Sequence, residues 1–525
     1  MSDFKILDCT LRDGGYYTDW DFSKELVNKY IEAVAALPID YVEIGYRSPS
    51  KKGYLGEYFY LPINTIRFIR ENIRQDQKIA IMINTKDINN EEQFVELLNI
   101  CKSNVNMVRF ATSPENISYS ISLASRAKKL GFEVAINLMY LSKLTISDID
   151  YLINLDSIND LDYIYFVDSY GACTPDQVAR LITHFNENSH GVKIGFHGHD
   201  NLELVFANTL KAVDKGVSMV DATFTGMGRG AGNLKTELIT LYKSKTSNTP
   251  IDFDAIEQIV NVFNELKDKY GWGTSLPYMF AGLNGLPQDK VMSLLSKNRY
   301  SASSIIESFS ESNHYNNVYL PQIEEENSDS YENVIIIGGG KELSNHHDAI
   351  IEFAKEKNAL IINSTTKNQE LFNVPDLKRF VCLPGDERNK IKGSFSRDNG
   401  NIKGMIVTHN TAKLIKEDDF VSPIYTIEID SRLDFENDVK EDAPLAMALT
   451  LSLKFKSKNV YLAGFDGYLG LTEKERSLSS ENQKIINCYN DIEQNNIQTL
   501  TPSLYNIDRY SVYSYIANKK NIGVK

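Results

Sequence analysis

Between residues 4 and about 230 the chain repeats one pattern eight times: a short β-branched or apolar run, then a longer stretch with helical periodicity. The runs fall at 4–9, 41–46, 78–84, 107–112, 133–139, 163–169, 193–199 and 219–225. Amphipathic helices are predicted among the connectors, at 22–37 and 202–215. An open doubly wound sheet would show the same alternation. The count of eight, with polar residues at the C-terminal ends of most runs, selects a closed (β/α)8, or TIM, barrel. In such barrels chemistry sits at the C-terminal rim, which directs attention to those polar strand ends.

A barrel does not use up 525 residues, and two or three domains are expected. Residues 233–300 continue as helices around a loop at 271–277, so the barrel domain is placed at 1–300. Residues 301–331 are rich in Ser, Asn and Glu, including Glu324-Glu325-Glu326, and read as a helical bridge with a polar linker. At 333 a buried strand, Asn-Val-Ile-Ile-Ile, breaks into Gly338-Gly339-Gly340. Further strands are predicted near 359–363, 379–383, 404–408, 424–429 and 459–463, with a helix at 444–455. The segment 332–525 therefore reads as a separate three-layer, Rossmann-like α/β domain.

The formal net charge of −14, with no long basic block, argues against a nucleic-acid partner. Five scattered cysteines without CxxC spacing fit a reducing cytoplasm rather than a disulfide scaffold. There is no run of 18 apolar residues to span a membrane and no apolar signal region after Met1. A homo-oligomer is expected.

The first run leads straight into Arg12 and Asp13, and Gly14-Gly15 follow, where a sharp turn through positive φ is expected. Far downstream, His197 and His199 lie two apart at the end of run seven, so both point to one face of a strand. In a closed barrel that strand is two places from strand one. Asp13 can then complete a His₂Asp set. Two imidazoles and a carboxylate leave open positions on a six-coordinate ion, and mixed N/O ligation suits Mn²⁺, Mg²⁺, Co²⁺, Fe²⁺ or Zn²⁺. Other polar residues end the remaining strands. Glu43 and Asp168-Ser169 are candidates for substrate contact or for ordinary rim hydrogen bonds. Asn84, Arg109 and Asn137 are weaker candidates, and Arg109 could meet a substrate carboxylate or pair with Glu43.

Three motifs in this order, Thr10-Leu11-Arg12-Asp13-Gly14, His197-Gly198-His199 and Gly226-Met-Gly-Arg-Gly-Ala-Gly-Asn233, resemble the HMG-CoA-lyase-like, or DRE-TIM, metalloenzymes over about residues 4–290. The resemblance implies Asp13, His197 and His199 as metal ligands, with Asn233 as a further ligand in some members. It implies Arg12 as the arginine that stabilises an enolate oxygen, and Mn²⁺ as the expected ion, with Mg²⁺, Co²⁺ or Zn²⁺ as alternatives. The glycine segment follows the aldolase form, Gly-x-Gly-x-Gly-x-Gly-Asn. Acyl-CoA-using synthases that resemble isopropylmalate synthase carry Glu-Arg there. A class II, pyruvate-type aldolase or lyase acting on a 2-oxo acid and an aldehyde is therefore preferred over a Claisen-type acyltransferase. One departure stands out. The family's pyruvate aldolases carry a histidine base where this chain has Tyr16, flanked by Tyr17. Tyr278 matches a late tyrosine of the aldolases only loosely.

In the C-terminal half, the turn at Gly338–Gly340 could hold a phosphate on its amides or serve packing alone, since its spacing is not GxGxxG. Val460-Tyr-Leu-Ala-Gly-Phe-Asp-Gly-Tyr468, together with Thr501-Pro-Ser-Leu-Tyr505, faintly resembles sialyltransferase-like domains found with bacterial surface-glycan enzymes. That resemblance implies a nucleotide or sugar-nucleotide site around Gly338, Gly339, Gly340, Gly464 and Asp466. It also implies a bifunctional role in a surface-polysaccharide pathway.

Overall fold

The computed structural model describes residues 4–155, 157–189, 191–296, 300–309, 320–323, 330–390, 401–412, 415, 422–433, 442–468, 473–492 and 496–522. The chain divides into two compact units, Met1–Ser293 and Leu294–Lys525. The predicted acidic stretch at 324–326 lies outside the described residues.

Unit 1 is the expected barrel. Eight parallel strands close in chain order: β1 (Lys5–Asp8), β2 (Tyr41–Tyr46), β3 (Lys78–Asn84), β4 (Met107–Thr112), β5 (Glu133–Leu138), β6 (Tyr163–Asp168), β7 (Lys193–Gly198) and β8 (Met219–Ala222), with β8 pairing back onto β1. Side chains alternate along each strand. Residues such as Ile6, Val42, Ile79 and Val108 join the apolar layer shared with the surrounding helices, whereas Leu7, Tyr41, Ala80, Met107 and Met219 fill the barrel. Two residues further along, on the same inward parity, come Glu43, Arg109, Asn137 and Asp221, all buried. The inside of the barrel is thus apolar below and charged above. Charges removed from water are tolerated only where they pair with one another, and these do.

The glycine pair behaves differently from expectation. Gly14 and Gly15 form no turn; they lie inside helix α1 (Thr10–Thr18), which starts two residues after β1 ends. The positive φ values fall later, at Asp19 and Trp20. The glycines are required for space. A Cβ on Gly14 would sit 2.6 Å from Met227 Sδ, and one on Gly15 would run into the Trp20 indole. Helix α2 (Lys24–Ala36) follows, its first turn capped by the Ser23 hydroxyl accepting from the Leu26 amide.

Unit 2 holds one parallel sheet of eight strands: β9 (Asn333–Ile337), β10 (Leu360–Asn363), β11 (Arg379–Cys382), β12 (Ile402–Thr408), β13 (Ile424–Ile427), β14 (Asn459–Ala463), β15 (Asn496–Thr499) and β16 (Asp508–Arg509). Their order is β13-β12-β11-β10-β9-β14-β15-β16, so the direction of winding reverses between β9 and β14. The Leu343–Glu356 helix packs with Ile335, Ile337 and Ile361, and the Pro444–Lys454 helix with Val334, Ile336 and Ile362. Alternate residues of the same strands thus face opposite helices, which makes the three layers. Strands β15 and β16 were not expected from the sequence; they are short and largely polar. Residues 321–322, expected in the linker, instead join the sheet edge: the Thr426 amide donates to the Pro321 carbonyl at 2.9 Å. Among the described residues no helix is long and apolar enough to cross a membrane.

Candidate metal centre

The site is assembled from α1, β2, β4, β7, β8 and the loop after β8. Helix α1 can start at once because the Thr10 amide donates to Asp8 Oδ1, while the Thr10 hydroxyl accepts from the Phe224 amide at 2.9 Å. That contact ties the first βα junction to the last strand's loop and carries Arg12 and Asp13 inward.

A closed circuit of charged groups results. Arg12 Nη1 donates to Asp13 Oδ1 at 2.6 Å, and its Nε to Glu43 Oε2 at 2.7 Å. Arg109 Nη1 meets the same Glu43 oxygen at 3.1 Å, and its Nη2 meets Asp221 Oδ2 at 2.5 Å. Asp221 Oδ2 in turn faces His197 Nδ1 at 2.9 Å, and His197 Nε2 lies 3.7 Å from Asp13 Oδ2. Three carboxylates and two guanidinium groups leave one negative charge, to be set against a divalent cation.

The donor atoms of Asp13, His197 and His199 lie within 4.8 Å of one another. The imidazole tautomers are fixed from behind. His197 Nδ1–H donates to Asp221 and His199 Nδ1–H to the Asp168 carbonyl at 3.0 Å, leaving both Nε2 lone pairs for a ligand. The Asn233 amide nitrogen donates to Asp13 Oδ2, and its buried Oδ1 has no partner among the described residues. A buried acceptor left open beside a carboxylate and two imidazoles fits a cation. The alternative cluster of Cys9, His197 and Asp221 does not. Its thiol points to the Ala222 carbonyl and is pushed far up by burial, and His197 Nδ1 is already committed to Asp221.

Electrostatics agree with this geometry. Burial opposes charge on Asp13, yet the Arg12 guanidinium, with the Asn233 amide donating to the same carboxylate, holds it well below the usual range. Burial lowers His199 to about 3, so it is a neutral ligand across the physiological range. Burial also opposes ionisation of Asp221, but Arg109 and His197 keep it a carboxylate.

The other strand-end residues divide clearly. Glu43 and Arg109 are wholly buried and pair with each other, so the second of the two readings for Arg109 is the one the geometry realises. Asn137 is buried on the inward face of β5, and its Oδ1 has no partner among the described residues. Ser169 accepts from the Tyr140 amide, Asn84 accepts from the Lys86 amide, and the Asp168 carboxylate takes the Ala172 and Cys173 amides. These three shape loops. The Tyr16 hydroxyl lies 3.0 Å from that of Tyr46, and Arg229 lies over the Tyr16 ring with Cζ 4.2 Å from the centroid. Tyr278 is buried in the Leu276–Leu283 helix beside Gly230, and burial raises its phenol. Asp221 and Arg229 were not singled out from the sequence. Asp221 carried a usable signal: a carboxylate on inward parity, two residues after Met219.

In unit 2, Gly338–Gly340 and Asp466 do come together, at the carboxyl ends of β9 and β14 where the winding reverses. Asp466 Oδ2 accepts from the Glu342 amide at 3.0 Å, and a Cβ on Gly340 would overlap that carboxylate.

A (β/α)8 barrel with a buried His₂Asp set at its carboxyl rim defines a class of divalent-metal barrels. The chain belongs to the HMGL-like family, whose model matches residues 3–263. It is 30% identical over 268 residues to the 4-hydroxy-2-oxovalerate aldolase of Geobacillus genomosp. 3, a match covering 49% of this chain and 77% of that one. It is 25% identical over 311 residues to the oxaloacetate decarboxylase of Mycobacterium tuberculosis (strain ATCC 25618 / H37Rv), covering 57% and 89%. These relatives are carbon–carbon lyases. Among solved structures, the N-terminal domain of a provisionally named aldolase from Bacteroides vulgatus is 44% identical, with a TM-score of 0.54, and covers 58% of this chain and 100% of that one. The family match ends within unit 1.

Proposed function

We propose that the barrel is a divalent-metal-dependent, pyruvate-type aldolase, making or breaking the carbon–carbon bond next to a pyruvate enolate, with Mn²⁺ as its ion. The observation that carries this reading is the unpartnered Asn233 Oδ1 beside the Asp13, His197 and His199 donors. Those four residues would hold the ion. When bound, the ion supplies Lewis acidity toward the oxygens of a 2-oxo acid.

The chain's own groups do the rest. Arg12 is clamped through Nε and Nη1 on two carboxylates, and its Nη2 has no acceptor among the described residues. That donor is left for the keto oxygen, where negative charge develops as the bond breaks. A guanidinium already fixed in place needs no reorganisation to stabilise it. Asp221 and Glu43 are positioning residues: one fixes the His197 tautomer, the other the Arg12 fork. In the condensing direction Tyr16 gives its phenolic proton to the aldehyde oxygen as that oxygen becomes the 4-hydroxyl, leaving a phenolate, and in cleavage the phenolate takes that proton back. Burial keeps Tyr46 a phenol, so Tyr46 can donate to the Tyr16 oxygen and orient the Tyr16 proton toward the substrate.

Metal removal tests the reading. Chelation should abolish pyruvate release from 4-hydroxy-2-oxo acids, and Mn²⁺ should restore it. Full activity in a metal-free preparation would sink it. Thiol release from an acyl-CoA and a 2-oxo acid would favour the Claisen reaction instead.

For unit 2 the proposal of a sugar-nucleotide site at Gly338–Gly340 and Asp466 is supported by their place at the reversal point of a doubly wound sheet, where ligands of such folds bind. With the Asp466 carboxylate on the Glu342 amide, that end of the turn favours ligand hydroxyls over phosphates. Calorimetric titration of the full chain with nucleoside-diphosphate sugars should give binding that Asp466→Ala weakens about tenfold. Equal binding by the variant would count against the site. The glycan context rests on the sequence resemblance alone.

A further inference from the structure

Three arginines stand around the metal centre, and only two are neutralised. Arg12 shares Asp13 and Glu43, and Arg109 shares Glu43 and Asp221. Arg229, partly buried in the loop after β8, makes no ion pair and donates no hydrogen bond among the described residues. Its guanidinium lies over the Tyr16 ring instead, with Cζ 4.2 Å from the centroid. A guanidinium whose contact is an aromatic ring keeps N–H donors uncommitted, which suits a carboxylate or phosphate.

The loop that carries Arg229 is not free to swing. Asn233 is tied to Asp13, the Gly273 amide donates to the Gly230 carbonyl at 3.1 Å, and the Ala231 amide donates to Gln288 Oε1 at 3.1 Å. The guanidinium is thus presented at a fixed place above the centre.

Charge balance says what it waits for. The circuit of three carboxylates and two arginines carries −1, and a divalent ion makes it +1. The carboxylate of a bound 2-oxo acid brings it to zero. Forming the enolate moves the 4-hydroxyl proton within the site and leaves that total unchanged. Arg229 stands outside that circuit and pairs with no carboxylate among the described residues. It is also set over Tyr16, the residue placed at the 4-hydroxyl, and so lies toward the aldehyde-derived half of the substrate rather than the 2-oxo acid half.

Resting on the aldolase reading above, we propose that Arg229 binds an anionic group, a carboxylate or a phosphate ester, on the aldehyde partner, so that the enzyme takes a negatively charged aldehyde rather than a simple alkyl one.

The test begins with the wild-type, metal-loaded enzyme in D₂O. Exchange of the pyruvate methyl protons reports enolate formation without any aldehyde. Its absence would overturn the aldolase reading itself. With exchange present, pyruvate is combined with propanal, succinic semialdehyde or glyceraldehyde 3-phosphate. The expected result is a kcat/KM for one anionic aldehyde roughly 10–100-fold above propanal, collapsing toward parity in Arg229→Gln through the aldehyde KM. Arg229→Lys separates the two sources of anion. Retention of most of the preference points to a phosphate met as a point charge, and loss of it to a carboxylate gripped by the fork.

A second readout needs no turnover. Both tryptophans lie near this wall: Trp20 packs on Tyr16 at 4.9 Å, and Trp272 on Tyr17 at 5.9 Å between centroids. Succinate or inorganic phosphate added to the metal-free protein should change tryptophan emission in the wild type and not in folded Arg229→Gln. An unchanged preference in Arg229→Gln would overturn the proposal. So would a rise in the pyruvate KM equal to that of the aldehyde, which would place Arg229 on the 2-oxo acid.

Discussion

His197→Ala and Asp13→Ala are expected to lose both metal and turnover. Each removes a donor from a set of three whose atoms lie within 4.8 Å of one another, and each also opens the charged circuit. Without Asp13, the Arg12 guanidinium keeps only Glu43, and Asn233 loses its acceptor. Without His197, Asp221 keeps only Arg109. The metal affinity should fall well beyond the roughly 10–100-fold that follows loss of a residue that merely orients a ligand. Elemental analysis of dialysed protein, beside a circular-dichroism spectrum to establish folding, checks this. A folded variant that retained a full equivalent of metal would refute the ligand assignment.

Arg12→Ala should separate what those variants lose together. It removes no donor atom, so an equivalent of metal should remain at neutral pH, while kcat falls by about 10²–10³-fold, the usual cost of one oxyanion donor. It also has a consequence for pH. Arg12 is the strongest influence holding the Asp13 carboxyl down. A depressed carboxylate is lost as ligand only when pH falls through its lowered value. In the variant that value rises, so metal should be released at a higher pH than from the wild type. Metal retention measured from pH 7 down to pH 4 should show the shift. A kcat within tenfold of wild type would exclude Arg12 from enolate stabilisation. Arg12→Lys is no conservative control, because an ammonium cannot bridge Asp13 and Glu43 as the fork does.

The barrel was legible because its strands are buried on both faces and read as short continuous apolar runs; runs such as 78–84 and 107–112 coincide with β3 and β4. The convergence of His197 and His199 on Asp13 was legible for a different reason: a strand's two-residue period sends both histidines to one face. The Gly14-Gly15 turn was misread because glycine has two uses that look alike in sequence. It supplies positive φ, and it makes room. Here Met227 and Trp20 take the room, and neither partner can be seen from a local window. Asp221 and Glu43 depend on which neighbour each meets across the barrel interior, and so does the choice between partners for Arg109. Arg229 sat inside a motif read for its glycines. In unit 2 the short polar strands β15 and β16 lack the apolar run that marked the others; β15 forms on the edge that β14 offers, and β16 on the edge of β15.

The circuit that joins Asp13 to His197 and Asn233 brings together residues 184 and 220 positions apart, from the first βα junction and from the two final strands with their loop. No shorter stretch of the chain holds a complete ligand set. The centre comes into being only when the barrel closes on itself, so an ion that prefers the closed form acts as its clasp: at a free concentration of 100 times its dissociation constant it adds about 2.7 kcal/mol to the folded state. With the proposed ligand set, bound metal would report closed barrels, and a protein stripped of its ion would be easier to unfold.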